Sequence, residues 1–415
     1  MNGNVMIKEY YQVIKKEQVA RIENSNLHHV EMNQVNQTTL RLFLNGKVGL
    51  AKAEGQYDDL ELEKSAFQNV KEGPSYLAEP TSNQQIEIVY NYMIAKGTDF
   101  VADMRDFVDT LKKLFPVISF RNYIQLTDHA YQLFNNNGVF LSYQDHFLDM
   151  NVCFEYMRNG VTNTGCFLFR GRRYEKETFL TYLSSLFEAC LRPYLPIPDS
   201  PLPIIISTQD RGFFSPLISL LSGDHYRENP SRFSTMQNNT AYHPSFSFYQ
   251  SNDPEIHFIP FFDAEAVVNP NFRVALIQDG KVVTPYTNKE IALSTGLPLT
   301  GSSRDVWGAM PVLSLQAFDV RSTHQSLTDI LQGGHGLLLH QLHYEQNPDS
   351  EWLTAKADHV YLTDGKTIFG LLPPVTISVP WREIFSDRLK GVTTEPIVPF
   401  SNQFGVVFDA ISCQW

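Results

Sequence analysis

The sequence predicts an α+β fold: an N-terminal domain of antiparallel strands and helices, followed by a C-terminal β-rich domain, barrel-like or sandwich. Three observations predict it. Aromatic residues fill 13% of the 415 positions, mostly as Phe and Tyr, which pack well on a pleated surface. Asn45-Gly46 and Asp279-Gly280 each sit between alternating apolar runs, the strongest short-range hairpin signal. Residues 99–114 and 176–192 switch instead to the three-four spacing of an amphipathic helix.

Taken in order, Tyr10–Lys16, Gln18–Glu23 and Leu27–Met32 read as short strands, with Asn24-Ser25-Asn26 as a turn. Leu40–Leu44 and Lys47–Ala51 are the arms of the Asn45-Gly46 hairpin. Asp58–Val70 reads as a helix capped by Asp58 or Asp59, with Leu60, Leu62, Phe67 and Val70 available for its buried face. Phe100, Met104, Phe107, Val108 and Leu111 mark the inner side of a second helix over 99–114. Tyr131–Tyr143 is a hairpin turning at Gly138, Phe147–Met157 and Gly165–Arg170 are strands, and Lys176–Arg192 is a long helix. The helix–strand–hairpin plan thus occurs twice, as a possible internal repeat.

Five prolines between Pro193 and Pro203 exclude helix and central strand, so 193–203 reads as an extended linker. The predicted domains are therefore 1–192 and 204–415. In the second, Ile204–Ser207 is a strand, a helix-like stretch runs to Leu221, and β signals follow. These include the Phe272–Val283 hairpin, Gly336–Gln341, Asp358–Leu362, Val375–Ser378 and Val406–Asp409, with short helices at 288–293 and 326–331.

Charge and cysteine content restrict the function. The net charge is −12, from 45 acidic and 33 basic residues, with no dense Lys/Arg stripe for phosphates. No nucleic-acid partner is expected. No window offers the ~20 apolar residues of a membrane span, and no leader pattern opens the chain, so no membrane partner and a cytoplasmic location are expected. Four scattered cysteines, Cys153, Cys166, Cys190 and Cys413, are too few for a disulfide framework and read as buried free thiols, although 153 and 166 could fall on neighbouring strands.

Few residues are arranged for chemistry. His335, His340 and His343 are the densest metal-ligand candidates. On a helix, 335 and 340 diverge by ~140°; on a strand they face opposite ways. They read as ordinary strand-end and loop histidines. No Gly-x-Ser-x-Gly elbow and no phosphate-binding glycine loop occur. No catalytic residue is assigned, and the substrate-binding residues stay unknown.

Several of these stretches, in their order, resemble the TldD/PmbA family, once described as modulators of DNA gyrase. Asn45–Ala51 with the acidic-capped helix behind it resembles the family's N-terminal hairpin and helix. Residues 278–301, from Gln278-Asp279-Gly280 to Leu297-Pro298-Leu299-Thr300-Gly301, follow its most specific stretch, and 358–378 its terminal strands. The resemblance implies paired peptidase subunits, one of which, TldD, carries a His-Glu-x-x-x-His zinc motif on a central helix. The corresponding stretch here, Gly212–Gly223, has no His, Glu or Cys, and Cys413 lacks the glycine-flanked context of the family's cysteine ligand.

A zinc site needs about three such donors converging. The chain is thus expected to be a non-catalytic TldE/PmbA-like subunit of a heteromeric zinc metallopeptidase acting on small or unfolded peptides. It would complete the chamber and bind extended substrate, with no cofactor of its own and zinc in a TldD-like partner. The alternatives are an active metallopeptidase using the 335/340/343 histidines, and a stand-alone homodimeric peptide-binding protein.

Overall fold

Strands β1 (Ile7–Glu23) and β2 (Asn26–Leu44) run unbroken for 17 and 19 residues in the computed structural model, which describes residues 6–90, 99–231, 242–345, 351–409 and 413–415. The short runs read from the sequence are pieces of these strands. Polar residues such as Lys15, Lys16 and Glu17 interrupt the alternation, but β1 is paired on both sides, so its backbone is satisfied along its length. Asn24 and Ser25 turn the chain at φ 48° and 59°.

The first sheet adds β3 (Lys47–Glu54), β4 (Gln85–Val89), β5 (Ser119–Asn135), β6 (Phe140–Arg158) and β7 (Val161–Gly171). Its order is β3-β2-β1-β5-β6-β4, with β7 also on β6. All pairings are antiparallel except β4 with β6. One face packs on α1 (Asp59–Asn69), α2 (Phe100–Leu114) and α3 (Lys176–Leu191).

Asp58 caps α1 through the N–H groups of Leu60 and Glu61. The buried side of α1 is Leu62, Ala66 and Val70. Leu60 and Phe67, expected inside, are 76% and 57% exposed. Small Ala66 faces the sheet because Gly49 of β3 lets the two backbones approach closely.

The second half builds three further sheets. β8 (Ile204–Ser207) leads into α4 (Arg211–Leu220). β9 (Phe248–Ser251), β10 (Arg273–Gln278), β11 (Lys281–Val282) and β14 (Phe318–Val320) form a four-stranded sheet, and β12 (Ser303–Arg304) pairs β13 (Val312–Leu313). The remaining strands are β15 (Gly336–Tyr344), β16 (Trp352–Thr363), β17 (Ile368–Leu372), β18 (Val375–Pro380), β19 (Leu389–Pro396), β20 (Phe404–Phe408) and β21 (Cys413–Gln414). They join β8 in the order β19-β20-β8-β15-β16-β18-β21, with β17 also on β16. Among the described residues these sheets are open, so no barrel closes. The proline-rich 193–203 stretch is tied down: Leu195 N–H donates to Leu371 O and Pro203 O accepts from Leu337 N–H.

The cysteine reading needs one correction. Cys153 and Cys166 are joined by a disulfide; Cys190 and Cys413 are free. Asn159 and Gly160, at φ 50° and 77°, make the tight turn between β6 and β7, and its register sets Cys153 directly opposite Cys166. Proximity enforced by the ladder, not a framework of several bridges, produces the bond.

Candidate functional site: a cleft along the open edge of the first sheet

The helix where the zinc motif is expected is α4. Asp210 caps it, its carboxylate accepting from Phe213 N–H at 3.1 Å. Phe213, Phe214, Leu217 and Leu220 are buried, and Phe385 meets the Phe213 ring edge-on and the Phe214 ring stacked, with centroids 5.6 and 5.5 Å away. Its exposed positions are Arg211, Ser215 and Ser219. Arg211 is occupied by the carbonyls of Leu315 and Gln316. None of these side chains is a zinc donor, so α4 does not fit the metal.

The histidines of β15 are separated. His335 is exposed against the Phe369 ring. His340 lies opposite His359 of β16, and burial pushes both imidazoles down to about 4. His359 also meets the Tyr156 hydroxyl at 3.2 Å, across to the first sheet. His343 is exposed and pairs with Asp358 at 2.8 Å. Cys413 sits at the far edge opposite Ile377, its thiol pushed up by burial. Among the described residues no group of three or more His, Cys, Asp or Glu side chains is placed to hold a metal ion.

The structure instead forms a cleft of about 340 Å³ where the first sheet meets the second half. Register builds one wall. Tyr123, Asn151 and Leu168 lie in one cross-strand row of β5, β6 and β7, and Asp149 and Arg170 in the next on the same face. Arg170 grips Asp149 through two hydrogen bonds of 2.6 and 3.0 Å. The opposite wall is Gln209, Ile256 to Phe258 and Ser401 to Gln403. His257 is buried and bonded to Asp319 at 2.7 Å; against the upward push of burial, that bond holds the Asp319 carboxyl below its usual range.

The outer edge of β7 pairs with no strand among the described residues. Side-chain amides meet it instead. Gln403 donates to Leu168 O at 3.2 Å. Gln341, its amide oriented to suit both neighbours, donates to Thr164 O and accepts from Cys166 N–H at 3.2 and 3.0 Å. Gln341 reaches there because its backbone turns to φ 55° between the His340 and Leu342 pairs of β15, interrupting the ladder without shifting its register. A carboxamide offers the same donor and acceptor as a peptide unit, so this edge is chemically suited to extended main chain. Sequence reasoning found β7 but not the opposite wall, whose residues come from three separate downstream segments, at 209, 256–258 and 401–403.

A buried charge network anchors the other end of the sheet. Arg41 is 1% exposed, donates to Ala264 O at 2.5 Å, and lies 3.4 Å from Glu9 and 3.9 Å from Asp305. Tyr76 donates to Glu265 at 2.9 Å, and burial, then the neighbouring Asp263, push the Glu265 carboxyl up. Lys289 reaches Glu79 O and the Thr81 hydroxyl. These contacts hold residues 263–308 over β1 and β2.

No helix among the described residues is long and apolar enough to cross a membrane. No curated protein matches the chain. Residues 202–406 match the family model described as the PmbA/TldA metallopeptidase C-terminal domain. Among solved structures, TldE from Thermococcus kodakarensis superposes with a TM-score of 0.78 at 16% identity, over 99% of this chain and 96% of that one. A putative modulator of DNA gyrase from Thermotoga maritima gives 0.74 at 14% identity, over 98% and 96%. Another from Bacteroides thetaiotaomicron gives 0.70 at 12%, over 100% and 95%.

Proposed function

From the match of residues 202–406 to the PmbA/TldA metallopeptidase C-terminal domain, we propose that this chain is a non-catalytic, TldE/PmbA-like subunit of the TldD/PmbA family. Its partner would be a zinc-bearing TldD-like chain, and the complex would cleave small or unfolded peptides. Residues 1–192 would supply the sheet wall of the cleft and 204–415 the other wall, with 193–203 between them. The extended substrate would add to the edge of β7, where Leu168 and its neighbours present main-chain groups.

One observation carries this reading: α4 turns phenylalanine and leucine inward where a zinc peptidase subunit needs ligands. On this reading the chain's own part is to bind and orient a peptide. The decisive experiment purifies the chain without chelator and measures its zinc and its hydrolysis of an unstructured peptide, alone and with a TldD-like subunit. Zinc near zero and activity only in the mixture support the reading. Hydrolysis by the metal-free chain alone overturns it.

Both alternatives make separate predictions. A peptidase built on His335, His340 and His343 would lose its activity in His340→Ala. A stand-alone peptide-binding homodimer would bind peptide and show twice the chain mass without any partner.

A further inference from the structure

Away from the β7 cleft, a second cavity of about 390 Å³ opens between α3 and the eight-stranded sheet. Its wall is apolar where Leu327, Leu338, Ile368 and Ile397 line it, and Leu338 is buried. The Asp364–Gly365 turn shapes its rim: the Asp364 carboxylate accepts from the N–H groups of Lys366 and Thr367 at 2.8 Å each. Gly365 has φ +92° and stands so close to Thr328 that a Cβ would lie 2.8 Å from its nitrogen, so the rim is fixed.

Three polar side chains of this cavity make no hydrogen bond or ion pair among the described residues. Lys366 and Glu395 stand exposed on the rim, and their side-chain charges form no ion pair among the described residues. The Tyr182 hydroxyl is buried with no hydrogen bond, and burial pushes the phenol well above its usual range, so it stays a neutral donor. A buried hydroxyl left unsatisfied costs free energy, which a bound polar group would recover. The volume lies within the range of small-molecule sites, and an apolar wall with few polar groups is their usual composition.

We propose that this cavity binds a small zwitterion with an apolar body, of dipeptide size. Its carboxylate meets Lys366, its ammonium meets Glu395, and its side chains occupy the Leu327–Leu338–Ile368–Ile397 wall. A plain fatty or aromatic acid would leave Glu395 unmatched beside its own negative charge, which argues for the zwitterion. The site is independent of the peptidase reading, since it shares no residue with the β7 cleft.

The test uses the full chain and the dipeptide Leu-Tyr in a ligand-observed NMR titration, with N-acetyl-Leu-Tyr-amide as the blocked control. The expected result is saturable binding with a Kd of ~1 mM or tighter. Lys366→Ala and Glu395→Ala each weaken it roughly fivefold, the size of one exposed ion pair. Ile368→Trp, at a partly exposed wall position, fills the cavity and abolishes binding. Both charge variants are on the surface, so folding does not confound them. No saturation by ~10 mM Leu-Tyr overturns the proposal. So does equal binding of the blocked peptide, or unchanged binding in Ile368→Trp.

Discussion

The side-chain amide of Gln403 donates to the main-chain carbonyl of Leu168 at 3.2 Å, in the place on the β7 edge that another strand's N–H would take. The bond is exposed, so an incoming main chain can displace it at little net cost. Strand addition predicts which ligands bind. An unstructured hexapeptide labelled at one end should bind by fluorescence anisotropy, and N-methylation of alternate residues on its edge-facing side should weaken it at least ~10-fold, because two or more hydrogen bonds of ~1 kcal/mol are lost. Methylation of the other alternate set should have little effect. Equal tolerance of both sets would rule out pairing to β7.

Much of this edge was legible in the sequence, and the reason lies in local chemistry. Asp58, Asp99, Asn288 and Ser326 cap the helices the sequence places behind them, since caps are decided within three residues. Asp279 and Gly280 take the positive φ that their dipeptide demands. Asn159-Gly160 carries the same signal, and reading it as a turn pairs Arg158 with Val161 and, five steps out, Cys153 with Cys166. The disulfide was therefore within reach of the sequence. The long strands were not, because their continuity depends on partners on both sides. Nor was the outward side of α1: Leu60 and Phe67 share one side of the helix, Leu62 and Val70 the other, so its apolar residues fall on two faces, and the close approach at Gly49 decides which is buried.

The Cys153–Cys166 bond closes a loop with a sequence separation of 13. Closing a loop of this size in the unfolded chain stabilises the fold by about 3 kcal/mol in the chain-entropy model. Guanidinium unfolding with dithiothreitol, or of Cys153→Ala/Cys166→Ala without it, should show a loss of that order. Thiol counting under denaturing, non-reducing conditions should find two reactive cysteines, Cys190 and Cys413, and four after reduction. Four before reduction would show that the bond does not form.

His340 and His359 face each other between the two sheets, and burial holds both at about 4, against an ordinary value of 6.5. The folded state therefore binds fewer protons than the unfolded chain throughout that window. Stability from keeping them neutral is complete above pH 6.5 and is lost as pH falls through 4. Thermal melts at pH 7.5 and pH 5 should differ by several degrees. His340→Leu should narrow that difference, while His343→Leu, at an exposed position, should leave it unchanged. An unaltered pH response in His340→Leu would remove His340 as its source.

Arg41 lies between Glu9 and Asp305, and its tie to Ala264 O holds residues of the second half over β1. Burial pushes the Asp305 carboxyl up, and Arg41 pulls it back. Arg41→Met keeps much of the volume but takes the guanidinium away from buried Glu9 and partly buried Asp305, and removing one partner of a buried pair costs about 3–5 kcal/mol. Urea unfolding measures it directly. The double variant Arg41→Met/Asp305→Asn removes a stranded charge together with its cation, so it should recover part of the loss. Simple additivity of the two single effects would mean that the 3.9 Å approach carries no interaction, and that Arg41 holds the halves together through Glu9 and Ala264 alone.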